Sequence, residues 1–310
     1  MKHRIILTIA LIFLGGTLAY AQLTSEEYRE KYQLQIRNAG FAGIGVETIL
    51  DRWGRLYPDD CDMLEGRFFF WLTKARTTEV KPMARRTYMG KKPVVTLKDS
   101  LGANVNYFEV ESYDDSLFSL AIKPLNKAIS LKENEFHYRA SLINAQMARE
   151  GENPLISVEE LESLIAYDYA GKPSWSYNGE PVNADFFPGV VQEYCRLYFE
   201  IGSPASYEAM RRISEKMLKL YPSRVEFLTN MGSYWKVAKN NPKKALDCYQ
   251  KALKKDTDNY VAVKNCYLLA KASGKKKDQI KYLEMLAKVS PSESEKISAA
   301  ALLDGLKSAK

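Results

Sequence analysis

Residues 228–257 read LTNMGSYWKVAKNNPKKALDCYQKALKKDT, and this stretch decides the fold. Its apolar residues recur every three or four positions on both sides of the break Asn240-Asn241-Pro242. Apolar residues at this spacing lie on one face of an α-helix, and a proline that follows polar residues is typical of a new helix start. The stretch therefore predicts two helices joined by a short turn.

The same pattern occurs elsewhere in the chain. The tripeptide Leu-Tyr-Pro stands at 56–58 and again at 220–222, and in both copies a Leu follows six residues after the proline and a Trp thirteen residues after it. Looser copies start near Glu133 and Thr257. The spacing is 35 residues from position 222 to 257 and 34 residues from 257 to 291. A period of this length indicates an array of helix-turn-helix repeats.

The quoted stretch resembles a tetratricopeptide repeat. Met231-Gly232 stands where that family has Leu-Gly, Trp235 stands at the following aromatic position, and Ala245 and Ala252 fill the two small positions of the second helix. Small residues at a helix crossing let the two backbones approach closely. The resemblance implies an all-α fold, a right-handed α-solenoid of about six helix pairs.

Apolar spacing and helix breakers predict six helix pairs and one capping helix. The predicted helices are 24–38 with 43–57, 61–77 with 114–131, 134–149 with 157–168, 185–201 with 204–221, 224–239 with 242–255, 258–273 with 276–289, and 293–308. A C-terminal capping helix is expected, because an end repeat otherwise exposes its apolar stacking face.

Two insertions interrupt the helical period, at residues 80–113 and 169–184. The first contains two β-rich runs around a Gly-containing loop, which predicts a β-hairpin inserted between the two helices of one pair. The second is rich in Gly, Pro and aromatic residues, among them Trp175 and Tyr177, and predicts an ordered loop. Insertions in repeat proteins tend to fall on one face, which is often the binding face.

Residues 1–21 predict a secretory signal peptide. Lys2 and Arg4 precede an apolar run, and a small-x-small cleavage pattern ends at Ala21. The apolar run is too short to span a bilayer. We therefore expect an exported protein, periplasmic or extracellular, that begins near Gln22 and has no stable membrane insertion. An uncleaved N-terminal anchor is the alternative.

Composition narrows the class of protein. The chain has 310 residues, of which 46% are hydrophobic and 27% charged, the balance of a globular chain rather than a disordered one. There are two histidines, and His3 lies in the predicted signal peptide, which leaves His137. A zinc site with two histidines or a haem with paired histidine ligands is therefore not expected, and we predict neither a metal nor a cofactor.

The motifs of common enzyme classes are absent from the sequence. It contains no G-x-S-x-G elbow, no Walker-type phosphate loop and no H-E-x-x-H pair. The four cysteines form no C-x-x-C motif, and only Cys248 and Cys266 are close enough in sequence to suggest a disulfide. These features favour a protein that binds over one that catalyses.

The positive charge is concentrated in the last third of the chain. Residues 222–310, which we assign to basic tetratricopeptide-like repeats and the capping helix, contain 18 basic and 9 acidic residues, whereas the divergent repeats at 22–221 contain 25 basic and 29 acidic. Such asymmetry attracts anionic partners, and an acidic peptide, an anionic glycan and a membrane surface remain open. A solvated face that only aids solubility is the alternative. Nucleic acid is not expected, because the protein is predicted to be exported and has no recognised nucleic-acid-binding motif.

The resemblance also implies where a partner binds. In tetratricopeptide repeats the inner face of the superhelix comes mainly from the first helix of each pair, where Asn, Lys and Arg side chains hold a partner's backbone or terminal carboxylate. The corresponding residues in this chain are Arg196, Asn230, Lys236, Lys264, Asn265 and Lys271. The alternative is that the asparagines satisfy backbone groups between helices.

These observations predict a non-enzymatic scaffold of the cell envelope that binds a protein or peptide on its concave face, with an acidic peptide among the candidates. The alternative is an accessory protein that binds a carbohydrate or another polymer. In that case Trp175 and Tyr177 of the second insertion form a platform on which sugar rings stack.

Overall fold

The computed structural model describes residues 22–171 and 173–308, so the predicted signal peptide lies outside the described residues. The described chain is mostly helical and carries two small antiparallel sheets. The helices are α1 Ser25–Ala39, α2 Val46–Leu56, α3 Cys61–Ala75, α4 Asp115–Leu131, α5 Phe136–Glu150, α6 Ile156–Gly171, α7 Phe186–Ile201, α8 Pro204–Leu220, α9 Glu226–Val237, α10 Pro242–Lys255, α11 Tyr260–Ala272, α12 Lys276–Val289 and α13 Glu293–Ser308. Every predicted helix is present, with ends that differ by a few residues. None of these helices combines the length and the hydrophobicity that a membrane crossing requires.

Side-chain caps set several helix starts. The Asp60 carboxylate accepts hydrogen bonds from the backbone N–H groups of Asp62 and Met63, at 2.9 and 3.1 Å, and so begins α3. The Asn241 side chain accepts from the backbone N–H of Lys244 at 3.0 Å and begins α10. These caps satisfy N–H groups that have no partner inside the helix, and they fix where each helix begins.

The first insertion is a three-stranded sheet rather than a hairpin alone. Strand β2 (Val95–Lys98) pairs with β3 (Asn104–Tyr113), which confirms the predicted hairpin, and β1 (Arg76–Met83) pairs with the other edge of β3. The predicted helix 61–77 was wrong at its C-terminal end, because α3 ends at Ala75. β1 follows α3 directly, and its backbone hydrogen bonds are made with β3, which lies far along the chain.

A tight turn fixes the sheet against α7. Met89 and Gly90 both have positive φ, 51° and 74°, and Tyr88 and Lys91 exchange backbone hydrogen bonds around them. A Cβ atom on Gly90 would lie 2.8 Å from the backbone oxygen of Glu200. Only glycine therefore lets the turn approach α7 this closely. The insertion therefore packs on the end of a helix that lies two helix pairs further along the chain.

The second insertion contains a minimal hairpin. Strands β4 (Ser176–Tyr177) and β5 (Glu180–Pro181) are joined by Asn178 and Gly179, whose φ values are 52° and 82°. Asn-Gly is the preferred dipeptide for such a two-residue hairpin turn, because both residues tolerate positive φ. The ordered loop predicted for this insertion is thus held in part by its own turn.

Each odd-numbered helix contacts the next odd-numbered helix through side chains. In chain order, these contacts join Arg29 with Asp62, Glu65 with His137, Asn144 with Tyr194, Gln192 with Asn230, Lys236 with Asn265, and Lys264 with Glu295. The contacts run without a break from α1 to α13. The odd-numbered helices therefore form one row.

The buried core extends along this row in three clusters. The first joins α1 to α5, the second α5 to α9, and the third α10 to α13. Helix α5 contributes Phe136 and Ile143 to the second cluster and Tyr138 and Leu142 to the first. A helix that buries two opposite faces needs a neighbour on each side, so the clusters depend on one another.

The crossing of α9 and α10 explains the small residue in the quoted stretch. A Cβ atom on Gly232 would lie 2.5 Å from the ring of Tyr249, which is fully buried and whose hydroxyl lies 3.1 Å from the Ser233 hydroxyl. Ala245 and Ala252, on either side of Tyr249 in α10, are also fully buried. The tyrosine ring thus fits only because position 232 has no side chain.

We expect Gly232→Ala to destabilise the protein by about 1–3 kcal/mol, because the buried Tyr249 ring cannot move aside without disturbing the core. Gly305→Ala in α13 is the matched control, since a Cβ atom there meets nothing within 4 Å, and it should stabilise the helix by up to about 1 kcal/mol. Urea unfolding followed by circular dichroism measures both. Equal midpoints for the two variants would contradict the proposed fit.

Candidate functional site

One face of α11 combines exposed apolar and polar side chains. Val261, Lys264, Asn265, Leu268 and Lys271 recur at three- and four-residue spacing, which places them on one side of the helix. Val261 and Leu268 are 45% and 40% exposed. The opposite side of the helix is buried in the third core cluster. We call these five residues, together with Lys236 of α9, the α11 surface.

The polar groups of the α11 surface are held in place by neighbouring helices. Lys236 Nζ donates to Asn265 Oδ1 at 3.1 Å, and Lys264 Nζ lies 2.7 Å from the Tyr260 hydroxyl and 3.0 Å from a Glu295 carboxylate oxygen. The contacts of Lys264 with Tyr260 and Glu295 raise its pKa, so it stays charged. Four of the six residues predicted to bind a partner, Lys236, Lys264, Asn265 and Lys271, are therefore brought together. The side chain of Lys271 has no polar partner within 22–171 and 173–308.

Asn230 lies inside the protein instead. It is 8% exposed, and its side-chain amide exchanges hydrogen bonds of 2.8 and 3.1 Å with Gln192 and donates to the Ser214 hydroxyl at 3.3 Å. Asn230 thus joins α7, α8 and α9. These contacts fit the alternative interpretation of the asparagines, although the groups that Asn230 satisfies are side chains rather than backbone.

Arg196 lies apart from the α11 surface. Its guanidinium contacts the carboxylates of Glu193, at 2.7 Å, and Glu200, at 2.5 Å, on its own helix α7. These hydrogen bonds raise its pKa. Arg196 therefore forms a local ion-pair group with two carboxylates of its own helix. A partner that binds Arg196 would have to displace these carboxylates.

A groove of about 810 Å³ lies beside the second insertion. The insertion loop, the C-terminal end of α6, the start of α7 and the turn after α8 form its walls. The residues that give it its chemical character are Asp168, Tyr169, Trp175, Phe187, Tyr221 and Arg224. We call it the loop groove.

Trp175 anchors the insertion loop. It is 7% exposed, its indole Nε1 donates to Asp168 at 2.6 Å, and its ring stacks on Phe187 with a centroid separation of 6.0 Å. A second ring, that of Phe136, meets it edge-on at 5.3 Å. Because the indole is almost completely buried by these contacts, Trp175 offers the loop groove little surface for stacking.

Tyr177 does not line the loop groove. It is 42% exposed, and its ring lies 6.2 Å from His137 and 5.8 Å from Phe186. The expectation that Trp175 and Tyr177 form one stacking platform is therefore corrected: one ring is buried and the other faces a different side.

The exposed aromatic ring in the loop groove belongs to Tyr169. It is 49% exposed and packs edge-on against Tyr221 at 5.7 Å. The Tyr221 hydroxyl donates to Asp168. The pKa of Tyr221 is raised mainly by burial and, to a smaller extent, by the neighbouring Asp168 carboxylate. Sequence reasoning missed Tyr169. The signal was the sequence Tyr167-Asp168-Tyr169 at the end of a helix that leads into an aromatic insertion.

Glu135 fastens the insertion loop from the other side. This carboxylate is 6% exposed and accepts hydrogen bonds from the Ser176 hydroxyl at 2.8 Å and the Gly179 N–H at 2.9 Å, and it contacts His137 Nδ1 at 2.7 Å. Burial alone raises a carboxyl pKa, but these hydrogen bonds outweigh it and lower the pKa of Glu135. His137, whose Nε2 lies 3.6 Å from Glu65, is thus part of a partly buried polar group that holds the loop.

The cysteines are free thiols, including Cys248 and Cys266. Burial raises the pKa of Cys195 to about 12 and that of Cys266 to about 11. These two side chains therefore stay protonated at neutral pH, whereas a nucleophile needs the thiolate. Within the described part of the chain, no group of three or more His, Cys, Asp or Glu side chains could hold a metal ion.

Comparison with known proteins does not assign this chain to a family. No model of a protein family matches the chain, and no curated protein sequence matches it significantly.

We expect Trp175→Ala to destabilise the protein by about 3–5 kcal/mol, the usual cost of truncating a buried tryptophan. Tyr177→Ala, in the same insertion but on the surface, should cost less than about 1 kcal/mol. Urea unfolding gives both values. A small loss for Trp175→Ala would show that the indole does not anchor the loop.

Proposed function

We propose that this chain is a non-enzymatic scaffold that binds a protein or peptide in the cell envelope. Its framework, in this proposal, is an α-solenoid of tetratricopeptide-like helix pairs closed by α13. The internal period near residue 222, the row of odd-numbered helices and the core that extends along it support this architecture. The basic start and the apolar run of residues 1–21 support export.

The α11 surface carries the proposal. It presents Val261 and Leu268 as apolar contacts, with Lys264 and Lys271 as cations and Asn265 as an amide. Interfaces between proteins combine apolar contacts with charged and amide groups that fix orientation. A partner segment that combines an apolar side chain with a carboxylate matches this arrangement, because the carboxylate can accept charge-assisted hydrogen bonds from the lysines.

The pre-positioned lysines favour such a partner. Lys236 and Lys264 are already held by Asn265 and Glu295, so binding immobilises few additional side chains. A partner carboxylate can approach Lys271, which makes no polar contact among the described residues, without breaking an existing ion pair. The apolar contribution is modest, about 1 kcal/mol for each of Val261 and Leu268, because both are already half-buried.

We expect the double change Leu268→Asp with Lys271→Glu to reduce partner capture from envelope extract at least about tenfold, since it removes an apolar contact and reverses a charge. The matched control is Leu101→Asp with Lys98→Glu, which makes the same chemical changes on the sheet insertion, where Leu101 is 92% exposed. Cross-linking followed by quantitative mass spectrometry measures capture. If both variants keep the same partners, the α11 surface is not the site. Turnover of a substrate by purified protein that captures no partner would refute the scaffold itself.

A second candidate function is supported by the loop groove. Tyr169 exposes an aromatic ring, and Asp168 and Arg224 place a carboxylate and a guanidinium near it. Sugar rings stack on exposed aromatic faces, and their hydroxyls bond to carboxylate and guanidinium groups. In this candidate the chain is an accessory protein that binds a carbohydrate or another polymer.

We expect Tyr169→Ala to weaken binding of a carbohydrate by about tenfold, because it removes the exposed stacking surface of the groove. Tyr177→Ala is the matched control, since Tyr177 is similarly exposed but lies outside the groove. Affinity electrophoresis in gels that contain candidate polysaccharides provides the measurement. Equal mobility shifts for the two variants would remove this candidate.

A further inference from the structure

The positive charge of the C-terminal half lies on the even-numbered helices. Helices α8, α10 and α12 together carry thirteen Lys and Arg residues against five Asp and Glu. Helices α7, α9, α11 and α13 carry six of each sign. The charge asymmetry that the sequence showed along the chain is therefore also an asymmetry between two sets of helices.

The even-numbered helices are neighbours in space. Arg212 of α8 forms two hydrogen bonds with Glu162 of α6, at 2.8 and 3.1 Å. Lys255 of α10 donates to the backbone oxygen of Pro222, just after α8, at 3.0 Å, and Gln250 of α10 donates to the Tyr282 hydroxyl of α12 at 3.2 Å. The basic residues of α8, α10 and α12 thus belong to one continuous row, which we call the basic row.

Many lysines of the basic row are available to a ligand. Across 22–171 and 173–308, no polar or ring partner is found for Lys216, Lys219, Lys243, Lys254 and Lys277. All of these except the half-buried Lys216 are exposed. Unpaired cations close together repel one another, so an anionic ligand relieves this repulsion.

The basic row has little apolar surface to offer. Among the described residues, none of the large apolar side chains that are exposed lies on α8, α10 or α12. A helix that binds at a membrane surface buries an apolar face in the lipid, and the centre of a protein interface is apolar and aromatic. A strongly hydrated polyanion requires neither.

A cleft connects the basic row to the loop groove. It has a volume of about 550 Å³ and lies between α6 and α8. Its α8 side carries four basic residues and one carboxylate, namely Arg211, Arg212, Lys216, Lys219 and Glu215. Tyr169 lines both the cleft and the loop groove. A linear ligand can therefore follow one path from the aromatic ring to the lysines.

The two walls of this path differ in charge. Helix α6 carries four acidic residues and no basic residue, and its Glu162 and Asp168 line the cleft and the groove. Carboxylates only accept hydrogen bonds, so this wall suits a ligand edge rich in hydroxyl groups, whereas the lysines of α8 suit an edge that carries anionic groups. A sugar polymer with acidic substituents has both edges. A single-stranded DNA has no sugar hydroxyl along its chain to meet the acidic wall.

We infer that the loop groove and the basic row together bind an anionic polysaccharide, whose sugar rings stack on Tyr169 and whose carboxylates or sulfates contact Lys216 and Lys219. The inference rests on the second candidate function and gives it a substrate class. The ion pair between Glu162 and Arg212, at 2.8 Å, joins the two walls of the cleft.

The test uses the full mature chain and a fluorescent oligogalacturonate, with its methyl-esterified form as the uncharged probe. We expect the acid form to bind, with an affinity that falls about tenfold or more between about 50 and 200 mM salt. The variant K216Q/K219Q should weaken binding of the acid form at least about fivefold and leave the ester unchanged. The matched control K236Q/K271Q removes two lysines from the α11 surface and should have no effect. Thermal unfolding verifies that each variant is folded.

Other outcomes would overturn the inference in distinguishable ways. If the ester binds as tightly as the acid and Tyr169→Ala weakens both, the loop groove binds carbohydrate and the role of the basic row is refuted. If neither sugar probe binds, the second candidate function fails as well. Tighter binding of single-stranded DNA, polyglutamate or phosphatidylglycerol vesicles than of oligogalacturonate assigns the basic row to that ligand and refutes the polysaccharide.

Discussion

The packing of the Tyr249 ring on Gly232 is the constraint from which the regular part of the structure follows. The ring is fully buried at a place where any side chain on Gly232 would collide with it. This contact brings α9 and α10 close together, and the remaining apolar surface of the pair must then be covered by helices before and after it. The row of odd-numbered helices and the three core clusters extend the same requirement along the chain.

Two carboxylates hold the irregular part of the structure. Glu135 satisfies a hydroxyl and a backbone N–H of the second insertion, and Asp168 accepts from the indole of Trp175 and the hydroxyl of Tyr221. Glu135 is buried and Asp168 is half-buried. A carboxylate removed from water is costly unless its hydrogen bonds are made, so these two groups help to define the loop conformation. They place the loop so that a groove remains beside it.

The two rows of helices offer different chemistry to a partner. The α11 surface mixes apolar side chains with a few lysines, which suits a peptide. The basic row is predominantly cationic and exposes no large apolar side chain among the described residues, which suits a hydrated polyanion. The loop groove connects with the basic row through Tyr169. The two proposals are compatible, because a peptide on the α11 surface and a polymer on the basic row would occupy different helices.

The sequence by itself determined the helices, their breaks, the hairpin β2–β3 and the small residues at the α9–α10 crossing, because apolar periodicity, caps and turn dipeptides act over a few residues. Strand β1 was missed because its partner β3 lies far along the chain. Asn230 and Asn265 occupy equivalent positions in the repeat, yet only the tertiary structure decided that the first is buried against Gln192 while the second meets Lys236. The tertiary structure also decided that Trp175 is buried, that Tyr169 is exposed and that the basic row lies apart from the α11 surface. The reason is that burial depends on residues that are distant in sequence.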